Sequence, residues 1–361
     1  MGPLSGVRII EFDAIGPVPL CAMLLADMGA DILRIVRAGG QAAYEDAGEA
    51  ILHRGRVSVE LNLKDAGDRE AALRLVEKAD ILIEGFRPAV MERLGLGPDV
   101  CLARAPALVY GRMTGWGQSG ELAQRAGHDI NYIAIAGALG AIGEKNRTPV
   151  LPLNLVGDYG GGAMFLAMGV LAALTEARQS GKGQVVDVAM TEGVALLMSM
   201  FHALRQTGAW SEERQSNLLD GGTPYYRCYA CADGRFVAVG ALEPQFYAQL
   251  LDGLGLDSAS FPQADRSRWD AMQTAFQQRF LTKTRDEWGA IFADRDACVS
   301  PVLTMAEAVE HPHNRSRASF VVREGFTHPA PAPRFSRTVT EIRNSATDTA
   351  AAVHARWTQG N

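Results

Sequence analysis

Short apolar runs alternate with longer amphipathic ones along the first third of the chain. GVRIIEF, ADILRIV, VSVELNL, ILIEGF and ALVYGRM read as strands, and VPLCAMLLADMG and DAGDREAALRLVEKAD, with apolar residues at helical spacing, read as helices. Strands alternating with helices predict a parallel, Rossmann-like α/β sheet, in which ligands collect beyond the carboxyl ends of the strands. After GKGQVVDVAM comes a helical stretch, TEGVALLMSMFHALRQTG, and then the polar segment SEERQSNLLDGG. From Thr223 a strand, an Ala-Asp-Gly turn and a second strand lead into further helices. This predicts a large domain over 1–190, a helical linker over 191–222 and a small α+β domain over 223–312. The remainder, 313–361, carries the Pro-rich HPAPAPRFSRT and is expected to run back and pack on the large domain.

The most apolar stretch, Ala163 to Leu174, spans 12 residues between Asp158 and Glu176, short of the roughly 20 that cross a bilayer, so a buried helix is expected. Across 361 residues the net charge is −6 and the pI about 5.7, so no global basic field exists to hold nucleic acid or an anionic membrane. MGPLSGVRIIEF lacks the pattern of a secretory signal and WTQGN is not a peroxisomal tail, which sets the expectation of a cytoplasmic protein. Five scattered cysteines argue for reduced thiols, and the Cys228-Tyr-Ala-Cys231 spacing has no second pair or histidine to complete a zinc site. No metal is expected.

The dinucleotide fingerprint is missing, because the first strand is followed by AIGPVP instead of GxGxxG. Walker, HExxH and GxSxG patterns are absent too, which removes the commonest NTPase and hydrolase chemistries. Four acid–base candidates remain. In AGHDINYIAIAGALG, His128 and Asp129 stand at the N-terminal end of a helix whose apolar face is Ile130, Ile133, Ala134 and Gly137. Asp158, in NLVGDYGGGAMFLAMGV, precedes three glycines that let backbone approach a ligand. Glu243 closes the hairpin's second strand just before Pro244, a typical first residue of a helix. Each is also compatible with a purely structural role, as a helix cap, a first-turn acid or a hydrogen-bonded core histidine.

AGHDINYI, PLNLVGDYGGG, SGKGQVVDVAM, GGTPYYRCYACADGRFVAVGALEPQFY and PAPRFSRT, in this order, resemble the α-methylacyl-CoA racemases of the family III CoA-transferase superfamily, over Gly2 to about Thr340. The resemblance implies an isomerase that interconverts (R)- and (S)-2-methylacyl-CoA thioesters without metal or redox cofactor, CoA being part of the substrate. It assigns His128 and Asp158 as the two acid/bases, on opposite faces of the α-carbon. Glu243 becomes the partner that fixes the histidine's tautomer, and Asp129 a backbone N–H donor to the thioester oxygen. CoA contacts fall to Arg37, Leu61, Asn62, Leu63, Lys64, Gly85, Phe86, Arg87, Arg93, Gly127, Ile130, Asn131 and Tyr132. Met190, Met198 and Met200 are candidates for an adaptable acyl surface. The resemblance also implies an interlocked homodimer, with Glu243 reaching His128 of the partner chain. The alternative within the superfamily is a CoA-transferase in which Asp158 is the nucleophile; the presence of His128 and Glu243 favours racemisation.

Overall fold

The structure, a computed structural model, describes residues 2–37, 39 and 50–359. They divide into two compact units, Met1–Ala138 with Pro152–Ser199 and Ser316–Asn361, and Leu139–Leu151 with Met200–Arg315. The first unit holds β1 (Arg8–Phe12), β2 (Asp31–Val36), β3 (Arg56–Glu60), β4 (Ile81–Glu84), β5 (Val109–Thr114) and β6 (Val185–Ala189). The second holds β7 (Tyr226–Ala230), β8 (Phe236–Gly240) and β9 (Val299–Pro301). The chain then returns to the first unit with the hairpin β10 (Phe320–Arg323) and β11 (Phe326–Pro329) and the short β12 (Ala346–Thr347).

The large sheet runs β12-β3-β2-β1-β4-β5-β6, and every pairing in it is parallel. The winding reverses between β1 and β4. In a doubly wound sheet a crevice opens at such a switch point, outside the carboxyl ends of the strands. Alternate side chains on each strand feed opposite faces. Ile9, Ile32, Ile81, Ile83 and Val109 pack with the Pro17–Asp27 helix, while Ile10, Leu33, Leu82 and Tyr110 pack with the Ala66–Val76 helix. Each fully buried Ile or Leu contributes about 1.5–3 kcal/mol. The Pro17 helix begins with proline in its first turn, where a missing N–H costs nothing. The Ala66 helix is capped by Asp65, whose carboxylate accepts the N–H groups of Gly67 and Asp68.

The apolar run that the sequence shortens to 12 residues belongs to a helix that continues from Leu155 to Ser180. Its first part, Leu155–Ala163, is π-helical, so the glycines after Asp158 lie inside the helix instead of delaying its start. At 26 residues it is long and apolar enough to cross a membrane by length and composition alone. Its Leu166, Val170, Leu174 and Ala177 nevertheless pack against the sheet.

The C-terminal residues, which carry no clear pattern in the sequence, complete the first unit: β12 extends the sheet beside β3, and the Ala350–Gln359 helix buries Val353 and Trp357 in the second face's core. Trp357 Nε1 donates to Asp31 at 2.7 Å. Within the stretch read as a linker, 191–222, the helix Met190–Leu197 belongs to the first unit, and the polar turn that follows is ordered around Asn217, which is buried and bonded to Ser211 and Asp220.

The second unit is an antiparallel sheet, β7-β8-β9, over an aromatic core that includes Tyr229, Phe276, Phe280 and Trp288. Cys231 is buried in that core, where burial pushes its thiol up to about 11, while Cys228 is exposed. Among the described residues no three His, Cys, Asp or Glu side chains converge as metal ligands.

His53, buried in the first unit, is held at a pKa of about 3 by burial and then by the Arg34 and Arg56 charges. The unfolded chain therefore binds a proton below pH 6.5 that the folded one refuses, so stability falls as pH drops through this window, by about 2 kcal/mol at pH 5 for this group. Guanidinium unfolding at pH 7 and pH 5 is expected to show His53→Gln losing about that much less than the wild type; equal losses would remove His53 from the acid response.

Candidate active site

The cleft lies where the strand order reverses. One cavity of about 460 Å³ is lined by residues just past the ends of the strands: Gly85 to Pro88 after β4, Gly115 and Trp116 after β5, and Met190 after β6. The start of the Pro17–Asp27 helix, Ala123, the run Arg125 to His128, Tyr132, and Asn154 and Asp158 complete it. A second cavity of about 400 Å³ lies past β1, β2 and β3, lined by Asp13, Arg37, Leu61, Asn62, Leu63 and Lys64, with Val90 and Leu94. Phe86 lines both cavities.

His128 and Asp158 face the first cavity together. His128 is the N-cap of the Asp129–Ile135 helix, in extended conformation, and its backbone N–H donates to Asn131 Oδ1 at 3.0 Å. This fixes where the histidine leaves the backbone. Asp158 enters from the π-helical turn. Its backbone N–H donates to Asp129 Oδ2 at 2.8 Å, so the two elements that carry His128 and Asp158 are bolted together directly behind the cavity. The bolt needs Gly157, since a Cβ there would stand 2.4 Å from the Asp129 carboxylate. Tyr132 packs as closely on the other side: its hydroxyl donates to the carbonyl of Gly127, its ring meets Trp116 edge-on at 4.8 Å, and a Cβ on Gly115 would overlap it.

Burial raises the Asp158 carboxyl above the usual carboxylate range, and the Asp129 charge adds to this. The hydrogen bond from Asn154 Nδ2 (3.1 Å) and the His128 charge act in the opposite sense. The cavity thus holds an acid whose proton is retained more readily than usual, together with an imidazole. Such a set can move a proton on or off a carbon acid held between them.

Of the residues implicated by the sequence, Gly85, Phe86, Arg87, Gly127, His128, Tyr132 and Asp158 line the first cavity, and Arg37, Leu61, Asn62, Leu63, Lys64 and Phe86 the second. Arg93, Ile130, Asn131 and Asp129 line neither. Glu243 belongs to the second unit, where it is the N-cap of the Pro244–Leu254 helix. Met190 lines the first cavity, whereas Met198 and Met200 do not. Asn154, Trp116, Thr114 and Arg125, which no sequence motif singles out, also line the cleft. Asn154 stands four residues before Asp158, the spacing that brings helical side chains together, and this was its available signal.

A parallel doubly wound sheet with a cleft holding histidine, aspartate and several exposed cations, and no dinucleotide fingerprint, defines a class that is matched by known proteins. Residues 4–350 match the model of CoA-transferase family III, and the chain belongs to that family. It is 47% identical over 337 residues to the alpha-methylacyl-CoA racemase of Mus musculus, covering 93% of this chain and 87% of the relative. The alpha-methylacyl-CoA racemase of Homo sapiens is 43% identical over 332 residues, covering 91% and 86%. A crystal structure of a CAIB/BAIF family protein from Brucella suis superposes with a TM-score of 0.84 over 99% of both chains at 22% identity, a likeness of fold.

Proposed function

We propose that this protein is a racemase that interconverts (R)- and (S)-2-methylacyl-CoA thioesters by 1,1-proton transfer through an enolate. The observation that carries the reading is the shared cavity of His128 and Asp158. It is supported by the two racemase relatives, each more than 40% identical over most of the chain.

The nucleotide end of CoA occupies the cavity of Arg37 and Lys64, whose exposed cations suit its phosphates. The pantetheine arm passes Phe86 and brings the thioester between His128 and Asp158. The α-proton is far less acidic than either side chain, so the enolate must be stabilised as it forms. In this reading the backbone N–H of Asp129, first residue of its helix, meets the thioester oxygen. His128 removes the proton of the S substrate, and protonated Asp158 delivers one to the opposite face; the roles reverse for the R substrate. The upward shift that burial gives the Asp158 carboxyl favours it in the role of acid. Asn154 holds the Asp158 carboxyl in one orientation. Proton transfer of this kind uses the chain's own groups and calls for no metal or redox cofactor.

Glu243 completes the site in this reading, reaching His128 from the second copy of a homodimer and fixing its tautomer. Glu243→Gln is then expected to lower kcat by about tenfold to a hundredfold with little change in KM. Steady-state kinetics on both epimers checks this. Normal turnover would remove Glu243 from the site.

A further inference from the structure

The turn that joins the two cavities is held at both ends by one buried arginine. It starts at Glu84, the last residue of β4, continues through Gly85, Phe86, Arg87 and Pro88 along the wall of the first cavity, and ends in the short helix Val90–Arg93, where Val90 lines the second. Arg112 lies on β5, directly beside Glu84 in the parallel register. Its Nε donates to Glu84 Oε1 at 2.9 Å, and its two terminal nitrogens donate to Glu92 Oε1 and Oε2 at 2.7 and 3.2 Å. The other oxygen of Glu84 accepts the backbone N–H of Phe86 at 2.7 Å. One guanidinium therefore fixes the first and last turns of the segment, and through Glu84 it fixes the backbone of the residue shared by both cavities.

Three further observations show that the geometry is imposed. Ala89 is held at φ 65, the left-handed region that non-glycine residues avoid, and a chain free to relax would leave it. Gly97 leaves room for the Glu92 side chain, since a Cβ there would stand 2.8 Å from Glu92 Cγ. Arg112 and Glu84 are both buried, and an arginine taken out of water is retained only with its donors satisfied. Arg112 itself lines neither cavity.

We propose that Arg112 is a positioning residue that staples the turn between residues 84 and 92 and thereby sets the affinity of the cleft for its thioester. The staple rests on the assignment of the cleft to a CoA thioester. On that assignment it acts on binding, because Phe86, whose backbone N–H Glu84 holds, stands where the carrier portion of the substrate passes between the two cavities. Loosening it raises KM and leaves kcat in place.

The test uses Glu92, the exposed arm of the staple, whose removal leaves the buried Glu84–Arg112 pair intact. Glu92→Ala is expected to raise the Kd for free CoA, measured by calorimetry, and the KM for 2-methylacyl-CoA by about tenfold, with kcat within about twofold of wild type. Glu92→Gln, whose amide oxygen still accepts from Arg112, is expected to recover most of that affinity. Wild-type Kd and KM in Glu92→Ala, or a fall in kcat alone, would overturn the proposal. A wild-type enzyme that binds CoA yet leaves the α-proton in place would defeat the racemase assignment instead, and the Kd comparison would still decide the staple.

Discussion

Replacing His128 with alanine is expected to abolish interconversion of the epimers, lowering kcat by about a thousandfold or more, while the far-ultraviolet circular dichroism and melting temperature stay close to wild type. The two halves of this expectation have separate grounds. His128 is exposed, and the contacts that organise its surroundings are made by its backbone N–H to Asn131, so removing the imidazole takes little from the fold. The chemistry has no substitute, because a racemase needs a proton carrier on each face of the carbon and Asp158 serves only one. Asp158→Asn is expected to fail in the same way. Here the fold has more at stake, since Asn154 donates to the carboxylate that is replaced. Full activity in His128→Ala would exclude the imidazole as a base.

Removing Glu11 is expected to have the largest effect on stability, a loss of about 3–5 kcal/mol for Glu11→Ala. Glu11 on β1 and Arg56 on β3 are both fully buried, with Arg56 Nε donating to Glu11 Oε2 at 2.9 Å. Burial raises the Glu11 carboxyl, and the Arg56 charge and hydrogen bond act against this. Truncating the acid strands a guanidinium beneath the sheet; its remaining acceptors, the carbonyls of Pro19, Leu52 and Arg54, carry no full charge. Chemical denaturation measures the loss. A change under about 1 kcal/mol would mean that those carbonyls satisfy Arg56 alone.

Most of the large sheet was legible because its strands are short apolar runs with clear breaks, and the cleft followed from the rule that ligands collect at the carboxyl ends of such strands. That rule also applies to Trp116 after β5 and Met190 after β6, but without the strand order nothing indicates which ends face the switch point. The π-helical turn at Asp158 was hidden because glycines usually mark a helix boundary, whereas here they let the helix pack closely, with Gly161 against the Met190–Leu197 helix. β12 has two residues and therefore no period to detect. Glu11, Glu84 and Arg112 stand inside the apolar runs of the sequence, and Arg56 just before one. A charge in a buried strand must find a partner, yet the partners lie on other strands, the adjacent one for Glu84 and Arg112 and the next but one for Glu11 and Arg56, that only the fold brings together.

The claim that an imidazole and a carboxyl flank one carbon acid is tested most directly by incubating the wild-type enzyme in D2O with each pure epimer of a 2-methylacyl-CoA and following deuterium at C2 together with the epimer ratio. From either starting epimer, both epimers carrying deuterium at C2 are expected. Retention of the original hydrogen, with hydroxylamine instead converting an acylated or CoA-bound Asp158 carboxyl to its hydroxamate, would contradict proton transfer between His128 and Asp158 and make Asp158 the nucleophile of a transferase.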